Sequence, residues 1–342
     1  MEQIPRGEAH GSMLVVSPIM DRIPPHPIKP LGRTPSASRS AGPLKNLVLA
    51  RSPIDRAGHL RMNDDALTEL WATAKILLLV DDRLGASDES LTFLTATEVT
   101  GEGERFFLGL DVETRESYFA WHTQDNVVNE ENLRTLRQVG ASLSDLEAGL
   151  AVHAVGLAHW HASHPRCSRC GAPTRSSFGG AVRICIEDES QHHPRTDPAV
   201  IVLVKDQEDR LLLGHQPTWP EKRFSNFAGF VEPGESFEQC VVREVAEECG
   251  VVVSDVHYLG SQPWPFPASI MIAFEAVTAD PSTAKADGQE ISEIKWFSRA
   301  EMKIAVTSGE ILLPPLISVS RRMIEHWYGD GAREDLFVGD AW

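Results

Sequence analysis

The feature that most restricts this chain is a helix obliged to carry three glutamates beside its buried edge. Residues 229–251 read GFVEPGESFEQCVVREVAEECGV. Ser236, followed three residues later by Gln239, forms a capping box in which each side chain satisfies a backbone donor of the first turn. A helix is therefore predicted from Phe237 to the residue before Gly250. On it Glu244, Glu247 and Glu248 stand at i, i+3 and i+4, hence on one face. Their angular sector overlaps that of Phe237 and Val241, which puts the carboxylates next to the core rather than in open water. Like charges at this spacing destabilise a helix by roughly 0.2–0.5 kcal/mol per pair, and by more when partly desolvated. A solvated acidic face, the usual explanation of such a cluster, leaves Gly229, Gly234 and Gly250 around the helix and Arg243 beside the acids unexplained. Hard divalent cations with oxygen ligands relieve the repulsion and give the cluster a purpose.

The rest of the chain sets bounds on what surrounds this helix. At 342 residues it is long enough for two domains, each with a core of its own. No apolar run approaches the length of a membrane span, and the N-terminus lacks the apolar core of a signal peptide, so a cytoplasmic location is expected. The formal charge of -17 argues against a broadly basic nucleic-acid surface, and requires metal ions or a local Arg/Lys cluster wherever phosphates are handled. Residues 1–44 are rich in Pro, Ser, Gly and Arg and read as a flexible tail. Residues 45–160 read as a mixed α/β domain, with β-rich runs LTFLTATEV and RFFLGLDV and a helical run DDALTELWATAKI. Its firmest helix has Ser144 and Glu147 as a capping box and Leu143, Leu146, Leu150, Ala154 and Leu157 as a core stripe. From 199, AVIVLVKD and RLLLGHQ read as buried strands with acidic turn residues between them. A last helix is expected around 316–328.

Residues 229–251 resemble the Nudix box. Gly229, Glu235, Arg243, Glu244, Val245, Glu247, Glu248, Gly250 and Val251 fill its fixed positions. The resemblance implies a C-terminal Nudix α/β/α sandwich over 196–342. It assigns Glu244 and Glu248 to magnesium or manganese, with Glu247 as ligand or water-orienting base. Arg243 would orient the carboxylates, Glu235 would fix the junction of loop and helix, and the Ala228 carbonyl would complete a metal's coordination. The reaction is then attack of water on phosphorus. Ten residues downstream, SQPWPFPAS (261–269) has three prolines spaced by aromatics, which cannot form a regular helix or a central strand. It resembles the signature of NADH pyrophosphatases, in which Gln262, Pro263, Trp264, Pro265, Phe266, Pro267, Ala268 and Ser269 line the dinucleotide pocket. Flat rings on a stiff loop suit a heterocyclic base, and Phe230 is a further stacking candidate. The same resemblance places Glu290 as a further metal-ligating acid and Ser320 at a substrate-contacting position, and sets His193 where relatives often carry a stacking tyrosine. It implies cleavage of NAD(H) to nicotinamide mononucleotide and AMP, removal of NAD caps from RNA 5′ ends and a homodimer, while the absence of a long apolar run leads to the expectation of no membrane partner. The competing readings are a Nudix hydrolase of ADP-ribose or another nucleotide sugar, and a catalytically inactive Nudix-fold binding module.

One departure concerns a zinc-ribbon-like knuckle over 161–195. Cys167, Cys170 and Cys185 reproduce three of the family's zinc ligands, while the fourth place is Asp188 rather than cysteine. Structural zinc sites favour four Cys or His ligands, although carboxylates also bind. His192 or His193 would serve instead if the loop folded back, and a metal-free knuckle packed as a small hydrophobic unit is the alternative. Cys240 and Cys249, on the box helix, are expected to be buried and inert.

Overall fold

The computed structural model describes residues 43–125 and 129–337. Most of the expected tail therefore lies outside the described residues. Leu44, placed at its end, is not tail: it is 2% exposed, and its amide donates to the carbonyl of Leu259. Together with Leu47 it packs into the C-terminal core, because both are large apolar residues beside a strand with an open edge. Among the described residues no helix is long and apolar enough to cross a membrane.

The C-terminal half is built on the strand Asp197–Lys205. It runs parallel to Ser269–Thr278 on one side and antiparallel to Leu211–His215 and Phe227–Phe230 on the other. Val253–Trp264 and Glu293–Phe297 complete the six-stranded sheet. Its sequence AVIVLVK shows no polar alternation because both faces are covered. Val200, Val202 and Val204 pack against Cys240, Val241, Val245 and Cys249 of the box helix, Phe237–Cys249. Ile201 and Leu203 share the opposite core with Met323, Ile324 and Trp327 of the helix Val319–Tyr328. This is the helix–sheet–helix sandwich that the strand pattern predicts.

The N-terminal half centres on a seven-stranded sheet including Lys75–Val80, Glu104–Asp111 and Ser117–Thr123. Two expectations are corrected there. In LTFLTATEV only Phe93–Leu94 forms a strand, and the helical run ends at Trp71, so that Lys75 and Ile76 open the next strand. Thr and Ala after Trp71 carry no apolar spacing to prolong the helix, while ILLLV is an uninterrupted apolar run suited to a buried strand.

The long helix Asp145–Ser163 has the expected Ser144–Glu147 capping box and runs across the boundary expected at 160. It buries far more than one stripe: Ala148, Ala151, Val152, Val155, Ala158 and Trp160 are covered as well as Leu150, Ala154 and Leu157. Small residues let neighbours approach on several sides. Trp264 and Phe266 of the proline–aromatic loop pack against the core to which this helix belongs. A three-stranded ribbon, Thr174–Ser177, Val182–Cys185 and Gln191–His192, links the halves in sequence.

Candidate active site

The box helix begins at a complete Ser236–Gln239 capping box and ends at Gly250, whose φ of 72° closes the last turn in the left-handed region that favours glycine. Its acids are divided by burial. Glu248 is 3% exposed and Glu244 9%, whereas Glu247 is exposed. Phe237, expected on the buried edge, is 42% exposed, while Val241 is fully covered.

Arg243 organises the cluster. Its guanidinium donates to Glu235 Oε1 at 2.6 Å and Oε2 at 2.9 Å, to Glu244 Oε1 at 2.8 Å, to Glu247 Oε2 at 2.9 Å and to the Phe230 carbonyl at 3.0 Å. Glu235 also accepts the amide of Glu232, which ties the glycine loop to the helix as expected. The hydrogen bonds from Arg243 hold the Glu235 carboxyl down at about 2, and Arg243 itself stays firmly protonated. Glu248 has no such partner. It accepts the Ala228 amide at 3.1 Å, but burial, with the fields of Glu244, Glu290 and Asp287, raises its carboxyl to about 8. Burial also raises Glu244 against the pull of Arg243. Two desolvated carboxyls facing further acids form a donor set of hard oxygens short of positive charge, which divalent magnesium or manganese fits. Gly229 is part of this cradle: a Cβ there would stand 1.8 Å from Glu244 Cδ.

Glu248 opens onto a cavity of about 200 Å³ that is also lined by Ala228, Trp264, Trp219, Asn226, Met271 and Ser320. Ser320 is held at 1% exposure, donating to Asn226 Oδ1 at 2.8 Å and accepting from Ser225 Oγ at 2.9 Å. Of residues 262–269, Trp264 alone is among the lining residues. Gln262 does other work: fully buried, it accepts the Leu49 amide at 3.1 Å and donates to the Ile317 carbonyl at 3.0 Å. Phe230 is 59% exposed, and it and the exposed His193 and Glu290 stand outside the cavity lining. The sequence reading missed Trp219, Gln216 and Asn226. For Trp219 a signal existed, because Pro217-Thr218-Trp219-Pro220 repeats the proline–aromatic composition that singled out 263–267.

At the ribbon, one ligand atom from each of Cys167, Cys170, Cys185 and Asp188 lies within 4.8 Å of the others. The Cys170 and Cys185 sulfurs are 3.5 Å apart, and Cys167 Sγ is 3.9 Å from Asp188 Oδ2. Ligands at roughly 2.3 Å from a tetrahedral ion are separated by about 3.8 Å, so the four groups fit zinc. Neither His192 nor His193 belongs to this group; His192 sits one hydrogen bond further out, on Ser190. Cys240 and Cys249 are fully buried, and burial pushes both thiols up to about 12, as expected for inert positions.

The NUDIX domain model matches residues 195–317. NAD-capped RNA hydrolase NudC of Mycobacterium bovis is 38% identical over 297 residues, covering 82% of this chain and 94% of that protein. NAD-capped RNA hydrolase NUDT12 of Homo sapiens is 35% identical over 197 residues, covering 54% of this chain and 42% of its own. Among solved structures, a NUDIX hydrolase from Nitrosomonas europaea covers 40% of this chain and 78% of its own, at 24% identity and a TM-score of 0.35. The chain belongs to the Nudix family and, by the breadth of the first of these matches, to the NudC group within it.

Two outcomes follow from the geometry of the acids. Gly229→Ala should fold normally yet displace the Glu244 carboxylate and weaken manganese binding about 10–100-fold, read by calorimetry; unchanged affinity would mean the close approach is incidental. In chelator, the Glu248 carboxyl keeps its proton up to about pH 8 in the fold but loses it near 4.5 when unfolded. The native state then holds the extra proton within that window, so its stabilising effect is complete below about 4.5 and is lost as pH rises through about 8. The melting temperature of the chelated protein should fall across this range, and Glu248→Gln should remove that part of the fall. Parallel curves for parent and variant would contradict the assignment.

Proposed function

We propose that this chain hydrolyses the diphosphate bond of NAD(H), giving nicotinamide mononucleotide and AMP, and removes NAD caps from RNA 5′ ends by cleaving the same bond. The observation that carries the reading is one cavity lined both by a buried box glutamate, Glu248, and by Trp264 of the proline–aromatic loop. Such a cavity pairs an acid for handling charge with an aromatic residue suited to a base. The relatives named NAD-capped RNA hydrolase support the same substrate class.

Bound magnesium or manganese would offset the charge of the diphosphate and stabilise the leaving oxygen. Ala228, Glu244, Glu247, Glu248 and Glu290 are the residues assigned to hold these ions. The remaining chemistry falls to the chain. Arg243 keeps Glu244 and Glu247 in fixed orientation, and Glu247, the exposed acid of the three, orients the attacking water and takes its proton. The water oxygen bonds to one phosphorus as the bridging P–O bond breaks, and the second mononucleotide leaves as a phosphate monoester. Trp264 stacks on the base, and Ser320, locked by Ser225 and Asn226, supplies a fixed polar rim. Ligand sites for molecules of drug size measure roughly 300–1,000 Å³. A cavity of about 200 Å³ takes one end of a dinucleotide, which leaves the other end for surface residues such as Phe230 and His193 and for the partner subunit of a homodimer. Zinc in the ribbon, held by Cys167, Cys170, Cys185 and Asp188, completes the assignment.

The test is product analysis with NADH, ADP-ribose and NAD-capped RNA, each with magnesium or manganese. Mononucleotide products from NADH and capped RNA are expected, with turnover abolished by chelator and restored by either ion. Glu248→Gln preserves volume and should lower turnover at least about a hundredfold, as loss of one preorganised charge-stabilising group does. Cleavage of ADP-ribose alone, or full activity in chelator, would overturn the reading. Protein made in zinc-supplemented medium should carry about one zinc per chain by elemental analysis, since three thiolates and a carboxylate match a borderline-soft dication. Cys170→Ser should then lower thermal stability while leaving activity per folded molecule measurable. Absence of stoichiometric zinc, with the variant as stable as the parent, would identify a metal-free knuckle.

A further inference from the structure

The proline–aromatic loop cannot hold itself. Pro263, Pro265 and Pro267 have no amide hydrogen to donate, and the Phe266 amide closes a tight turn onto the Trp264 carbonyl at 2.7 Å. The carbonyls of Pro265 and Pro267 therefore need donors from elsewhere. The long helix Asp145–Ser163 supplies one: His159 Nδ1 donates to the Pro265 carbonyl at 2.9 Å and lies 3.4 Å from that of Pro267. One turn earlier stands Gly156, where an added Cβ would come within 3.8 Å of the Pro265 side chain.

The rings are held from the same side. Trp264 and Phe266 meet edge to face, with centroids 4.9 Å apart at 75°. The guanidinium of Arg137, on the short helix Leu136–Val139, lies 3.9 Å from the Phe266 centroid and 5.1 Å from that of Trp264. That helix is anchored by its own Thr135–Gln138 capping box. A planar cation over two aromatic faces is favourable by electrostatics and packing alike, and it fixes ring orientation as well as ring position. Both partly buried rings pack on the N-terminal core, although one of them also lines the cavity that contains Glu248.

We propose that Arg137 and His159 are positioning residues for the substrate, through which the N-terminal domain sets the orientation of Trp264 in the cavity. The inference rests on the NAD(H) hydrolase reading and adds to it a task for the N-terminal domain. Neither residue is among those lining the cavity, so both act through the loop. The acids stand on a different element, where Arg243 holds Glu244 and Glu247 and the Ala228 amide holds Glu248, so changes at either position should leave them in place.

The experiment compares NADH with a dialkyl diphosphate that carries no base, using the full-length chain loaded with manganese. His159→Ala and Arg137→Ala should each raise the KM for NADH about tenfold or more, as loss of ring orientation does, with kcat changed much less. Turnover of the base-free diphosphate should stay at the parental rate. His159→Asn places an amide N–H where Nδ1 stands and should restore the parental KM, whereas His159→Gln reaches a different point and should not. Equal losses on both substrates, or a KM for NADH that ignores both alanine variants, would overturn the proposal. So would failure of His159→Asn to rescue when its melting temperature equals that of the parent. NADH binding to the chelated protein, followed by the nicotinamide fluorescence, gives an independent readout and should weaken in the same order. Absence of NADH cleavage by the parent would instead strike the hydrolase reading, and the binding measurement would still decide the role of the two residues.

Discussion

Burying two carboxylates at one end of a helix is the constraint around which the C-terminal half is arranged. Glu244 and Glu248 lie in the last two turns of Phe237–Cys249, where the helix dipole disfavours negative charge and where the last turn holds no basic residue. Their mutual repulsion at i, i+4 adds to this. The helix survives because the residues that flank the two acids on its buried side are apolar and completely covered: Cys240, Val241, Val245 and Cys249 close against the valines of the central strand. Capping at both ends supplies the rest. Arg243 offsets part of the charge, yet it reaches Glu235, Glu244 and Glu247 and not Glu248. The fold thus leaves the one acid that lines the cavity without a cationic partner. Such a site is stable enough to form and unsatisfied enough to bind cations.

The second constraint is that the aromatic end of the cavity belongs to another core. Trp264 ends a strand of the C-terminal sheet, but its ring packs with residues of the N-terminal half. Gln262, two residues earlier, makes the same join in hydrogen bonds, with Leu49 on one side of its amide and Ile317 on the other. Leaving either backbone group unpaired in a buried site would cost about 1–3 kcal/mol, so the bridge resists separation of the halves. A proline-rich loop suits this junction because its backbone has little freedom to lose on being fixed.

Local signals proved most legible where the chain states its own geometry. The capping boxes at Ser144 and Ser236, the glycine that ends the box helix and the doubly buried strand from 199 all follow from residue types at fixed spacing, and the structure has each of them. The box acids were legible for the same reason, since i, i+3 and i+4 fix their common face. What spacing does not contain is the tertiary partner. The stripe Leu143–Leu157 marks one buried face of the long helix, but the other faces are covered by elements distant in sequence. Phe237 looked like core because it is aromatic and in phase, yet as the first residue of the helix it stands 42% exposed. Gln262 was grouped with its neighbours in the loop; its burial against Leu49 depends on a segment more than two hundred residues away. Trp219 carried a readable composition and went unread because no box stood beside it.

Asp188 illustrates how a departure from a pattern is accommodated chemically. A carboxylate in place of a thiolate is a harder and more weakly held ligand, and it stays useful only if it is ionised and oriented. Ser190 provides both conditions, donating its hydroxyl to Asp188 Oδ1 at 2.6 Å and its amide to the same oxygen at 3.0 Å. These bonds hold the carboxyl at about 2 and engage one oxygen, while Oδ2 is the nearer of the two to the Cys167 sulfur. Ser190 also sits 3.4 Å from that sulfur, so one side chain orients two neighbouring donors. Outer partners of this kind fix ligand direction in metal sites generally. The turn that carries Asp188 in place of a fourth cysteine thus also carries, two residues further along, a serine that fixes the direction of its carboxylate.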